Sequence, residues 1–255
     1  MLTVKPLPAF QDNYIWILQQ DNDARIAVVD PGDADPVIEY IEAHGLVLDT
    51  ILVTHHHKDH TGGLATLADR YGPNIIGPAD SSITHLTRTV SDGDTVRLLG
   101  RVFDVMATPG HTLDHLSFLA AGTPGLLFCG DTLFCAGCGR LFEGSPEQMH
   151  KALQRLAALD DDTLVFAGHE YTRANVAFAR AADPDNAALE AYQATCERER
   201  EHGRPTLPST IGREKAINPF LRVHRPEVQR AVATQGTATD SLTTFATMRQ
   251  WKNNF

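Results

Sequence analysis

Thr54-His55-His56-His57-Lys58-Asp59-His60 places four imidazoles and one carboxylate within seven residues, directly after the apolar run Asp49-Thr50-Ile51-Leu52-Val53. A hydrophobic core has little use for so many ionisable side chains. The end of a strand, by contrast, is a good place from which to present them as ligands. In extended geometry alternate side chains share a face, so His55 and His57 can converge on one ion. The chain then turns through Thr61-Gly62-Gly63, which leaves Asp59 and His60 free to reach a second. Neutral imidazole nitrogen and carboxylate oxygen suit Zn(II), and they also accept Mn(II) or Fe(II).

Three later segments repeat one grammar, an apolar run followed by a glycine turn and a metal-competent side chain. They are Val105-Met-Ala-Thr-Pro-Gly110-His111, Leu126-Leu-Phe-Cys-Gly130-Asp131 and Leu164-Val-Phe-Ala-Gly168-His169. A single Gly-His pair usually marks only a turn. Four such segments in one chain point to strand ends aimed at a common site.

The surrounding pattern supports strands. Runs rich in Val, Ile, Leu and Phe predict strands at 2–8, 13–19, 25–29, 50–54, 74–77, 101–107, 115–120, 125–129 and 163–167. Helices are expected at 35–44, 63–71 and 146–159, the last opened by Ser145 as cap and Pro146 at the first helical position. Strands in groups with helices between them imply stacked sheets covered by helices. After His169 strand signals almost vanish, and helices are expected at 171–182, 185–202, 225–234 and 239–251. The expected division is therefore 1–169 for the metal domain and 170–255 for a helical domain.

Composition bounds the function classes. The 255 residues are 42% hydrophobic and 21% charged, as in ordinary globular proteins, and the formal charge of −10 argues against a nucleic-acid binder. Residues 1–169 carry 10 Lys+Arg against 22 Asp+Glu, and residues 170–255 carry 12 against 10. The C-terminal third is thus the better place to bind an anion. No apolar run approaches the roughly 20 residues that span a bilayer, so no membrane partner is expected. The first residues, MLTVKPLPAF, show no secretory or transit pattern, and four cysteines suggest no disulfide framework; a cytoplasmic location is expected. With no large apolar helix face demanding a partner, a monomer is expected.

The order and spacing of the four segments resemble the metallo-β-lactamase superfamily, which implies an α+β chain built on an αββα sandwich. That resemblance implies two divalent ions. His55, His57 and His111 would hold the first, Asp59, His60 and His169 the second, and Asp131 would bridge them. His56 and Lys58 fall at variable positions and should point away. Two ions sharing a water can supply hydroxide and polarise a carbonyl, which gives hydrolysis but not the substrate.

Other stretches narrow the substrate. Asp12-Asn-Tyr14, Cys138-Gly-Arg-Leu-Phe-Glu-Gly144, Gly168-His-Glu-Tyr-Thr172, Asn218-Pro-Phe-Leu-Arg222 and Met248-Arg-Gln-Trp-Lys252 together resemble the glyoxalase II family, the hydroxyacylglutathione hydrolases. The resemblance runs the full length and implies a small all-α C-terminal domain that binds glutathione. It implies hydrolysis of S-D-lactoylglutathione to glutathione and D-lactate, the second step of methylglyoxal detoxification. Arg249 and Lys252 match its glutathione-binding positions, and they share a face at i, i+3. On the residues alone, complementing the helix dipole is an equal reading for both. Arg140 stands where Lys is common in the family, and Phe142 where Tyr is common, which removes a phenolic donor. Tyr171 either contacts the peptide part of the substrate or is a half-buried aromatic.

Asp30 either orients a ligand imidazole or belongs to a simple Asp-Pro-Gly turn. His115 reads as a strand residue or a partner of a ligand. His44, His85, His150, His202 and His224 read as solvated or capping residues, and Cys135-Ala-Gly-Cys138 as a loop beside the site. The rival activity in the same superfamily is a mononuclear iron glutathione-persulfide dioxygenase. The presence of all seven ligand positions, Asp59 and His60 included, counts against it.

Overall fold

A computed structural model describes residues 2–255. The N-terminal sheet holds β1 (Leu2–Ala9), β2 (Asn13–Gln20), β3 (Arg25–Val29), β4 (Val47–Leu52), β5 (Asn74–Pro78) and β6 (Arg88–Val90), ordered as in the chain. β1, β2 and β3 pair antiparallel, and β3 to β6 are parallel. The second sheet holds β7 (Thr95–Leu98), β8 (Arg101–Ala107), β9 (Leu116–Ala120), β10 (Leu126–Gly130), β13 (Leu164–Ala167) and β14 (Ser209–Thr210). Between β10 and β13 lies a small hairpin of β11 (Leu133–Phe134) and β12 (Gly137–Cys138).

Alternation along the strands builds the layers. On β2, Tyr14, Trp16 and Leu18 face the second sheet, where Phe103, Phe118 and Phe128 complete the inter-sheet core. Ile15 and Ile17 of the same strand face outward and are covered by α1 (Asp35–His44) and α3 (Leu64–Tyr71) through Val37, Ile41, Leu64 and Leu67. Left-handed Gly45 and Gly72 end these two helices. The second sheet is covered by α4 (Pro146–Ala157), whose Met149, Leu153 and Leu156 are buried. As the sequence predicts, Ser145 caps α4, and Gln148 returns the bond to close a capping box.

Beyond β13 come α5 (Thr172–Ala182), α6 (Ala187–Glu201), α7 (Ile211–Ile217), α8 (Pro226–Val232) and α9 (Ser241–Asn253). Their Val176, Phe178, Phe245 and Met248, with Phe220 from the connection between α7 and α8, join the inter-sheet core in one continuous apolar cluster. The fold is α+β throughout. Among the described residues no helix is long and apolar enough to cross a membrane.

The structure corrects several boundaries. β4 ends at Leu52, two residues short of the strand expected at 50–54, and after residues 53–57 a one-turn helix α2 (Lys58–Thr61) follows. α7 and the short strands β6, β7, β11, β12 and β14 have two to seven residues each, too few to show a period. β14 also gives the C-terminal region a strand, because Ser209 and Thr210 pair with Val165 and Leu164. Cys135 lies in the turn of the buried hairpin, as a loop reading expects, whereas Cys138 belongs to its second strand and lines the cavity. His150 is half-buried: its Nδ1 is shielded without a partner, and its ring packs 5.5 Å from that of Phe245.

Candidate metal centre

The four ligand-bearing segments leave their strands at the same edge of the sandwich. The structure brings all seven side chains together. His55 Nε2 stands 3.2 Å from His57 Nδ1, which stands 3.0 Å from His111 Nε2. His60 Nε2 and His169 Nε2 are 3.3 Å apart, and Asp59 Oδ2 is 3.5 and 3.3 Å from them. Asp131 lies between the two groups, with Oδ2 3.4 Å from both His111 and His169 and Oδ1 3.4 Å from His60.

The outer hydrogen bonds assign the tautomers. His111 Nδ1 donates to the Arg140 carbonyl at 2.7 Å, His60 Nδ1 to Asp30 at 3.0 Å and His169 Nδ1 to Asp12 at 2.8 Å. Thr54 Oγ1 donates to Asp30 at 2.8 Å, so it accepts from His55 Nδ1 at 3.0 Å. Each of these four rings therefore turns Nε2 inward as the metal-competent nitrogen, while His57 presents Nδ1. Asp30 thus fulfils the orienting reading, and its left-handed φ of 53° belongs to the turn that aims it. His115 accepts from the Asp131 N–H at 3.0 Å and fixes that loop without facing the centre. His56 turns away to Asp114 and Glu143, at 3.0 and 3.2 Å.

Close packing of backbone at two glycines makes this convergence possible. A Cβ on Gly168 would lie 2.6 Å from Asp131 Oδ1 and 2.7 Å from His60 Cε1. At Gly130, with φ of 45°, it would lie 2.4 Å from Thr54 Oγ1.

The donor set fits metal ions. Donors about 2.0–2.1 Å from a tetrahedral zinc ion stand about 3.3 Å from one another, the separation seen among these nitrogens and oxygens. Inward lone pairs facing one another have no bond to make without a cation, and Asp131 Oδ1 is buried with no hydrogen-bond partner. Burial disfavours charge on Asp131, yet the charges of His60 and His169 hold its carboxyl well below the usual range. Burial likewise pulls His169 down, but Asp131 dominates and raises it to about 10. Burial depresses His55, His57 and His111, which stay neutral. The site thus holds fixed negative charge that draws in cations, whether protons or metal. The fold and this cluster make it a divalent-metal site.

A cavity of about 470 Å³ opens over these ligands. Its floor includes His57, Asp59, Asp131 and His169, and its wall includes Arg140, Tyr171, Asn175, Arg249 and Lys252. Tyr171 stacks on His169 with ring centres 4.6 Å apart. Phe142 is 62% exposed at the mouth, its ring edge-on to His57 and His111. Arg249, 5% exposed, donates to the Cys138 carbonyl at 2.8 Å and to Asn253 at 3.2 Å. Lys252 donates to Asn175 Oδ1, and burial, then the Arg249 charge, lowers its amine to about 7. Sequence reasoning gave no role to Asp12, Asn13 or Asn175. Asp12 and Asn13 touch ligands from across the sandwich and Asn175 holds the hairpin at Cys135, so spacing carried no signal for them.

Fold and site together define a protein of the metallo-β-lactamase superfamily, and the model of that superfamily matches residues 9–169. The crystal structure of ETHE1 from Myxococcus xanthus shares this fold with a TM-score of 0.67 at 24% identity, covering 100% of both chains. The model described as hydroxyacylglutathione hydrolase C-terminus matches residues 170–255. The chain is 62% identical over 255 residues to a hydroxyacylglutathione hydrolase of Chromohalobacter salexigens, covering 100% of each. It is 49% identical over 256 residues to one of Vibrio cholerae, again covering 100% of each. The chain belongs to the hydroxyacylglutathione hydrolase family.

Proposed function

We propose that this protein hydrolyses the thioester of S-(2-hydroxyacyl)glutathiones, S-D-lactoylglutathione first among them, releasing glutathione and D-lactate. One observation carries the reading: a single cavity has a floor of metal-competent ligands and a wall holding two basic side chains from α9, the buried Arg249 and the half-buried Lys252. A thioester of an anionic tripeptide meets both. Its carbonyl lies at the floor, and its carboxylates fit the wall.

The residues proposed for the first ion are His55, His57 and His111, those for the second are Asp59, His60 and His169, and Asp131 is shared. Zn(II) is the proposed metal, with Fe(II) or Mn(II) compatible with the same donors. Such ions supply activated water at neutral pH and polarise the carbonyl. Asp59 acts as a ligand, not a general base, because its carboxylate meets both His60 and His169. The thiolate leaves readily, so no strong general acid is needed. Arg249, Lys252, Arg140 and Tyr171 are the proposed substrate contacts. We further propose the division into 1–169 and 170–255, a monomer, and a cytoplasmic location.

The test is loss of thioester absorbance with release of free thiol from S-D-lactoylglutathione. The expected result is turnover that a chelator removes and Zn(II) restores. Oxygen consumption with one bound iron would instead support the persulfide dioxygenase, which the second ligand group at Asp59 and His60 disfavours.

A further inference from the structure

The turn between β1 and β2 reaches from the N-terminal sheet to the end of β13. Tyr14 N–H donates to the Gly168 carbonyl and Glu170 N–H to the Asp12 carbonyl, both at 2.8 Å. Asn13 and His169 form an isolated bridge between the sheets. This backbone suture brings two side chains onto the ligands. Asp12 Oδ1 accepts from His169 Nδ1 at 2.8 Å. Asn13 Nδ2 donates to Asp59 Oδ2 at 3.1 Å and to the Asp59 carbonyl at 3.3 Å. Both partners are acceptors, which fixes the orientation of the amide.

The two ligand groups are supported unequally. His55 leans on Thr54, and His111 on the Arg140 carbonyl, so neither depends on this turn. Asp59 sits on the one-turn helix with its side chain 42% exposed. Among the described residues, Asn13 is the donor on its carboxylate other than the site histidines. An exposed carboxylate without that donor regains its rotamer freedom. An imidazole without the Asp12 acceptor is free to move its proton to Nε2, which closes the inward lone pair.

We infer that Asp12 and Asn13 are positioning residues for the second ion alone, so that the β1–β2 turn decides whether the centre is dinuclear. The inference rests on the dinuclear reading proposed above. It is tested by titrating metal-free protein with Zn(II) against a chromophoric chelator, with the bound ions counted by elemental analysis. Wild type should take two ions. Asp12→Ala, Asn13→Ala and the near-isosteric Asn13→Leu should weaken the second by about 10- to 100-fold and leave the first unchanged. Asp12→Asn, which keeps an acceptor for His169 Nδ1, should restore the second ion. Circular dichroism checks that each variant is folded.

A wild type that binds one ion would sink the dinuclear reading and this inference with it. A wild type that binds two, with variants that keep both affinities, would sink the inference alone. Equal weakening of both ions would also overturn it, because that is the signature of a general structural role.

Discussion

The floor and the wall of the one cavity are electrostatic opposites. On the floor, carboxylates and inward lone pairs converge with too little positive charge to satisfy them, and Asp131 Oδ1 is left without a partner. On the wall, buried Arg249 and half-buried Lys252 lie beside each other and bond carbonyl, amide and sulfur acceptors, with no carboxylate partner among the described residues. Groups of one sign are costly to bury together, and each set is relieved by a ligand of the opposite charge. The floor calls for cations and the wall for an anion. On the proposed function, a substrate lying between them would be held at one end and polarised at the other.

The sharpest way to break this pairing is to remove the group shared by both ligand sets. Asp131→Ala should lower kcat/KM by three orders of magnitude or more, about 4 kcal/mol of transition-state stabilisation, in steady-state assays on folded protein. Activity near wild type would refute the centre. Gly168→Ala removes no ligand but drives a methyl against Asp131 and His60, which must shift. A loss of about 10²-fold is expected, since displacements near 1 Å have that effect. Unchanged kinetics would mean that the floor tolerates more movement than its packing implies.

The wall should respond differently. Arg249→Ala is expected to raise KM by about tenfold, about 1.4 kcal/mol, with kcat little changed, because uniform binding is what it removes. The Cys138 carbonyl also loses a donor, so Tm should fall in the same variant. An unchanged KM with a lower Tm would reduce Arg249 to a strut for the hairpin.

Lys252 adds a pH signature. With its amine at about 7 in the unliganded protein, the charge is present below that pH and is lost as pH rises through it. KM should therefore climb above pH 7, and in Lys252→Met that limb should vanish from the profile of kcat/KM. For stability the sign is reversed. An amine whose folded value lies below its unfolded one destabilises the fold where it must be charged, so wild-type stability should rise from pH 7 towards 10 relative to Lys252→Met. The smallest effect is expected for Phe142→Tyr at the exposed mouth. A hydroxyl there offers one more hydrogen bond, and KM should fall by a few-fold at most, within about 1 kcal/mol.

The two regions also differed in how far the residue pattern revealed them. The floor residues announce themselves locally: His111, Asp131 and His169 each follow an apolar run and a glycine, and the donors of residues 55–60 crowd together directly after an apolar run. The strands that carry them were legible for the same reason, whereas β11, β12 and β14, which carry no ligand, have two residues each and hold no period. The strand expected at 50–54 stops at Leu52, yet the backbone at His57, with φ of −59° and ψ of 145°, keeps the extended course. The two histidines meet in this segment, which is pinned by Asp30 on Thr54 and His60.

By itself the sequence determined the α+β class, the helical C-terminal region and the donor set, because periodicity and side-chain chemistry are properties of short stretches. Only the tertiary structure decided how those donors are aimed. Asp12 meets His169 from 157 positions away, Asn13 meets Asp59 across 46, and Arg249 reaches Cys138 across 111. Hydrogen bonds act over about 3 Å of space regardless of separation along the chain, so the partners that fix tautomer, rotamer and charge emerge only when the sheets and helices pack.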